Sequence, residues 1–143
     1  MSDPDTAAAR LWMSLAIGDL EAAQTMLEAG TAAAVRIAAQ HAQQAAEKAM
    51  KAAIAIAGPE PTRTHDLVAL ARRVPDDVGI AQLGVDLDRL SAALAAGRYL
   101  DPADPPYTTD EAAVLVHAAR SITDAVRVYL RAQGIDPNDA QGR

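Results

Sequence analysis

The sequence predicts an all-α protein: an antiparallel up-and-down four-helix bundle with an additional short helix. Three observations carry that prediction. Apolar residues recur at helical spacing through four long segments. Apart from Pro4 at the start of the first segment, proline and most of the glycine fall outside those segments, and no run alternates apolar with polar residues as a strand would. At 143 residues the chain suits one domain with a real core. That domain is expected to span residues 1–133, with residues 134–143 as a short flexible tail.

The first helix is expected to start between Ser2 and Asp5, where Pro4 suits an early helical position and the acids favour the positive end of the dipole. Trp12, Leu15, Leu20, Ala23 and Leu27 mark its apolar side, and Gly30 stops it after Ala29. The second helix, Ala32 to Ala57, ends at Gly58–Pro59. At about 100° per residue it has two faces. Ala34, Ala38, Ala42, Ala45, Ala49, Ala52 and Ile56 form one, and small side chains there let neighbouring helices approach closely. His41, Gln44, Lys48 and Lys51 form the other, flanked by Gln40 and Glu47.

The connector GPEPTRTH leads to a short third helix over His65 to Arg73, with Thr64 as its cap and Asp66 in its first turn. A fourth helix from Asp77 to Ala96 is predicted from Leu83, Leu87, Leu90 and Leu94, with Gly97 as its stop. The segment RYLDPADPPYTTD is too rich in proline and acid for regular structure. It ends in a capping box, Thr108 with Glu111, that opens a last helix from Thr109 to Gln133. Ala112, Leu115, Ala119, Ile122, Val126 and Tyr129 form the inward seam of that helix.

Composition narrows the function. Half of the residues are hydrophobic, yet there is no Phe, one Trp and three Tyr, so the core is built from Ala, Leu, Val and Ile. A net charge of −6 and a pI near 4.9 disfavour general nucleic-acid binding. The absence of cysteine removes disulfides, zinc thiolates and thiol nucleophiles. Neither a secretory signal nor an apolar run long enough for a bilayer is visible, so a cytoplasmic protein without membrane partners is expected. There is no phosphate-cradling glycine loop, HExxH, EF-hand loop or GxSxG elbow. Asp76–Asp77 and Asp101 to Asp104 sit in predicted turns, where acids solvate bends. No catalytic residue, metal ligand or cofactor is assigned.

The candidate binding residues are cationic and polar. His41, Gln44, Lys48 and Lys51 bring imidazole, amide and amine donors to one face, a pattern that suits an anion such as a nucleotide phosphate. The same pattern also makes a solvated face in which Glu47 pairs with Lys51 at four residues' spacing. Arg63 and His65 precede the short third helix, where unbonded N–H groups favour an anion; His65 can equally cap or pack. Arg98 and Tyr99 follow the predicted end of the fourth helix and can close over a cleft or anchor the loop. His117 and Arg120 share a face of the last helix and are read as surface residues.

The run HAQQAAEKAMKA, then TRTHDL, then GRYLDP after an amphipathic helix, resembles the pattern of the HEPN domain, the higher-eukaryote and prokaryote nucleotide-binding superfamily. DLEAAQTML before it and the final helix after a proline-rich loop fit in the same order, so the resemblance runs from Leu11 to Gln133. It implies an all-helical bundle, usually homodimeric and often encoded beside a minimal nucleotidyltransferase that can act as a separate partner. His41, Gln44, Lys48, Arg63, His65, Arg98 and Tyr99 are the matching positions. Gln40 stands where the family often has an aromatic residue, and Leu100 where a proline is common. A ribonuclease branch carries Arg, four to six residues, then His near the last helix. Here that spacing occurs only at Arg36 to His41, in the second helix, on side chains about 140° apart.

The reading is therefore a noncatalytic HEPN-type module, a homodimer in a toxin–antitoxin type of context, that binds a nucleotide or pairs with a nucleotidyltransferase. The alternatives are a ribonuclease toxin using His41 or His65 in a composite dimer cleft, and a structural helical interaction module.

Overall fold

A computed structural model describes residues 3–58, 63–98 and 107–137, without the side chains of residues 95–98. Five α-helices follow one another: α1 (Pro4–Ala29), α2 (Ala32–Ala57), the short α3 (Leu67–Ala71), α4 (Leu87–Arg98) and α5 (Thr109–Ala132). Among the described residues no strand occurs, so the all-α bundle stands. No described helix is long and apolar enough to cross a membrane.

The ends of the long helices follow local chemistry. Asp3 accepts from the Thr6 N–H at 2.8 Å to open α1, and Thr31 accepts from the Ala34 N–H at 3.1 Å to open α2. At α5 the Thr108 hydroxyl accepts from the Glu111 N–H while the Glu111 carboxylate accepts from the Thr108 N–H, both at 3.0 Å, completing the predicted capping box.

Helix α2 is the centre of the bundle and touches every other α-helix. Of its predicted face Ala34, Ala38, Ala42, Ala45, Ala49 and Ala52 are buried and Ile56 partly so, and Ala39, Ala46, Met50 and Ala53 on its other sides are buried too. The α5 seam is buried as predicted at Ala112, Leu115, Ala119, Ile122, Val126 and Tyr129. Ile135 bonds its N–H back to the Leu130 carbonyl at 2.9 Å, and it is buried with Pro137. The beginning of the expected tail thus packs on the bundle, because one apolar side chain past the helix end covers its last turn. Residues 138–143 lie outside the described region.

Three expectations need correction. Leu15 faces solvent at 42 % exposure, because α1 buries the stripe Ala9, Met13, Ala16, Leu20 and Ala23 instead. The fourth helix starts ten residues later than its leucine spacing suggests. Residues Asp76–Val78 and Ile80–Leu83 form two 3-10 turns, followed by Gly79 and Gly84 at φ 78° and 69°, a left-handed backbone that breaks an α-helix. Asp86 then caps α4 by accepting from the Arg89 N–H at 3.0 Å, and the helix runs through Gly97 to Arg98. Finally, α3 is shorter than predicted and its cap is Asp66, whose carboxylate accepts from the Val68 N–H. Thr64 instead accepts from the Asp66 N–H.

Candidate functional site

Helix α2 carries a polar row along its length, and α1 runs antiparallel beside it. Two carboxylates organise the row. Asp19 on α1, only 9 % exposed, accepts from Lys48 Nζ at 2.6 Å on one oxygen and lies 3.0 Å from His41 Nδ1 on the other. Glu47 on α2 is also buried, at 7 % exposure. Its carboxylate accepts from Lys51 Nζ at 2.9 Å and from Gln43 Nε2 at 3.2 Å, and His65 Nδ1 sits 3.0 Å from both of its oxygens. Gln43 Nε2 also donates to the His65 carbonyl at 3.2 Å, so it fastens the connector before α3 onto α2.

These contacts fix charge and tautomer. Burial is the largest single influence on the Glu47 carboxyl and pushes its pKa up. The hydrogen bonds from Lys51, Gln43 and His65, with the charge of Lys51, together outweigh it and hold Glu47 below its ordinary value. An ionised carboxylate only accepts, so His65 donates from Nδ1 and keeps Nε2 for another partner. On the opposite side Lys51 lies 5.3 Å from the centre of the Trp12 ring, where the π-face offers a second attraction for the ammonium. Gln43 Oε1 is buried with no donor against it.

The predicted residues separate into three groups. His41 and Lys48 meet on Asp19; Lys51 and His65 meet on Glu47. Gln44 is half-buried between the two sets without a partner among the described residues, and Arg63 is exposed. The Glu47–Lys51 pair exists, but both side chains are 9 % exposed, so it is a buried pair and not a solvated one. The N-terminus of α3 is not open to an anion: Asp66 occupies the Val68 N–H, and the Ser91 hydroxyl accepts from the Leu67 N–H at 3.1 Å. Arg98 ends α4, its side chain outside the described set, and Tyr99 lies outside the described residues.

Sequence reasoning did not single out Asp19 or Gln43. Asp19 follows Trp12 by seven residues, two helical turns, and so shares its side of α1; that spacing is the signal that could have found it. Gln43 is one residue away from the predicted stripe, but it lies in the run HAQQAAEKAMKA, as Asp19 opens DLEAAQTML, so the family resemblance already covered both positions without giving them a role.

The HEPN domain profile matches residues 9–129. The chain belongs to the HEPN domain family. Its matched region takes in Asp19, the whole α2 row and the connector carrying Arg63 and His65. The HEPN fold here is also similar to the crystal structure of TT1696 from Thermus thermophilus. The TM-score is 0.69 at 28 % identity, covering 82 % of this chain and 94 % of that one. No curated protein matches the sequence.

Proposed function

We propose that this HEPN protein is a noncatalytic binding module whose α2 row, with Arg63, receives a nucleotide phosphate. One observation carries the reading. Two buried carboxylates set His41, Lys48, Lys51 and His65 in a single row whose His41, Lys48 and His65 side chains remain 32 %, 24 % and 56 % exposed. Within the row Lys48 is paired with Asp19 and Lys51 with Glu47, and Arg63 adds an exposed cation on the connector two residues before His65. Preordered donors bind an anion without losing much side-chain entropy. Lys48 and His65 are held at their carboxylates and can extend their remaining donors outward; Arg63, two residues before His65 in the chain, would add a planar fork.

The test is calorimetric titration of ATP into the wild type and the Lys48→Ala/Arg63→Ala double variant, with circular dichroism on both. Affinity is expected to fall about tenfold or more, as loss of charged hydrogen bonds implies, while helicity is kept. Equal affinity in the two proteins would overturn the assignment. A partner nucleotidyltransferase would use the same face, and the same variant is expected to lose its co-purification.

A second reading, ribonuclease chemistry, is favoured by one feature: His41 and His65 each have Nδ1 against a carboxylate, the arrangement that orients Nε2 for proton transfer. It predicts RNA cleavage lost in His41→Ala or His65→Ala. Intact RNA after prolonged incubation with the wild type rejects it.

A further inference from the structure

A groove of about 530 Å³ runs between α1 and α5, on a different side of α1 from the row that faces α2. Ile17 and Leu20 give it an apolar wall. Arg120 and Arg127 contribute two guanidinium groups from α5, and Glu21 and Asp124 two carboxylates, so its formal charge is zero. The arginines are seven residues apart, about 10 Å along one face of the helix.

What distinguishes the groove is that these opposite charges do not satisfy one another. Among the described residues no ion pair joins either arginine to either carboxylate. Arg120 donates from Nη2 to the neutral Gln24 side chain at 3.3 Å, which holds it across the groove. Arg127 Nε is shut off from solvent and has no acceptor. That N–H is out of a ligand's reach, but the side chain is only half-buried, so a groove ligand would meet its terminal guanidinium donors, whose matching group is a planar oxyanion. A phosphate dianion suits the groove poorly, because Glu21 and Asp124 would face it at the same site. A singly charged carboxylate carrying its own ammonium answers all four charges.

We propose that this groove binds a small zwitterion of the amino-acid class, either a free amino acid or a short peptide with an apolar side chain. The ligand carboxylate accepts from Arg127 and Arg120, its ammonium donates to Asp124 and Glu21, and its side chain covers Ile17 and Leu20. The site shares no residue with the α2 row, so it stands or falls separately from nucleotide binding.

The experiment is calorimetric titration of the full chain with leucine and, separately, leucyl-leucine, which distinguishes the free amino acid from the peptide. N-acetyl-leucine, leucinamide and inorganic phosphate serve as comparisons. Saturable binding of leucine or leucyl-leucine is expected, weakened about tenfold or more when either the ammonium or the carboxylate is blocked. Arg127→Gln should reproduce the loss, and so should Asp124→Asn, an exposed change that leaves the core untouched. Thermal melting of both variants checks that they fold. Failure of both zwitterions to saturate at millimolar concentration overturns the proposal. So does binding of N-acetyl-leucine or phosphate as tightly as leucine, which would mark a simple anion site.

Discussion

Glu47 is the residue on which the local structure depends most. It is buried, it neutralises Lys51 inside the protein, and it is the common acceptor for Gln43 and His65. Replacing it with Gln keeps the shape but removes the charge, leaving the Lys51 ammonium buried without a counter-ion. Breaking a buried pair from one side costs about 3–5 kcal/mol, and Trp12 offsets a little of that. We expect Glu47→Gln to lower the urea midpoint by the equivalent of about 3 kcal/mol; a change within error of zero would mean that the pair is solvated. The pH dependence has a definite sign. The Glu47 pKa in the folded chain lies below its ordinary value of 4.5, so the unfolded chain takes up the proton first as pH falls. Its contribution is complete above the unfolded value and is lost as pH drops through the lowered one. The stability gap between wild type and Glu47→Gln should therefore be constant near neutrality and close in acid. A gap that widens in acid would contradict the assigned direction. The Glu47–Lys51 spacing was visible in the sequence; its burial was not, because Trp12 and the connector at His65 come from elsewhere in the chain.

Two glycines at the level of single elements make opposite predictions. Gly18 lies inside α1, and a Cβ built there meets nothing within 4 Å. Alanine has a better helix propensity and a less flexible unfolded state, so Gly18→Ala should raise stability by about 0.5–1 kcal/mol. Gly84 also has open space around it, but its φ is 69°. There the added Cβ clashes with the residue's own backbone, and Gly84→Ala should cost about 1–2 kcal/mol. Thermal melts of the two variants would move in opposite directions; a stabilised Gly84→Ala would mean that the turn before α4 relaxes. The same contrast explains which elements were legible. The bounds of α1, α2 and α5 follow from caps and stops that act within a few residues, such as Thr108 with Glu111. The fourth helix did not, because Leu83, Leu87 and Leu90 keep a helical period across Gly84, and periodicity alone carries no record of a left-handed backbone. Asp19 was hidden for another reason: its partners, His41 and Lys48, lie on a different helix.

The whole molecule is built so that one helix serves both the core and the row of candidate ligands. Helix α2 can be central only because its contact residues are small: Ala42, Ala45, Ala49 and Ala52 have no exposed surface. Each contributes little apolar area, and the stabilisation comes instead from the large side chains that close approach lets its neighbours bury, among them Leu90, Leu115 and Ile122. This division of labour predicts an inverted size rule. Ala49→Leu adds apolar volume where no space exists, must push α2 away from its neighbours, and should cost about 1–3 kcal/mol despite the more hydrophobic side chain. Leu90→Ala removes a fully buried side chain and should cost about 2–5 kcal/mol through the cavity it leaves. The informative comparison is a second property of the same proteins. Displacing α2 also displaces Lys48 and His41 relative to Asp19 on α1, so Ala49→Leu should weaken ATP binding as well as stability. Leu90 faces the core from α4, and its truncation should spare the row. Urea titrations give the stabilities and calorimetry the affinities. If Ala49→Leu proves neutral in urea, the helices are not held apart by alanine alone; if it destabilises but leaves ATP affinity intact, the row is positioned by α2 without reference to its distance from α1.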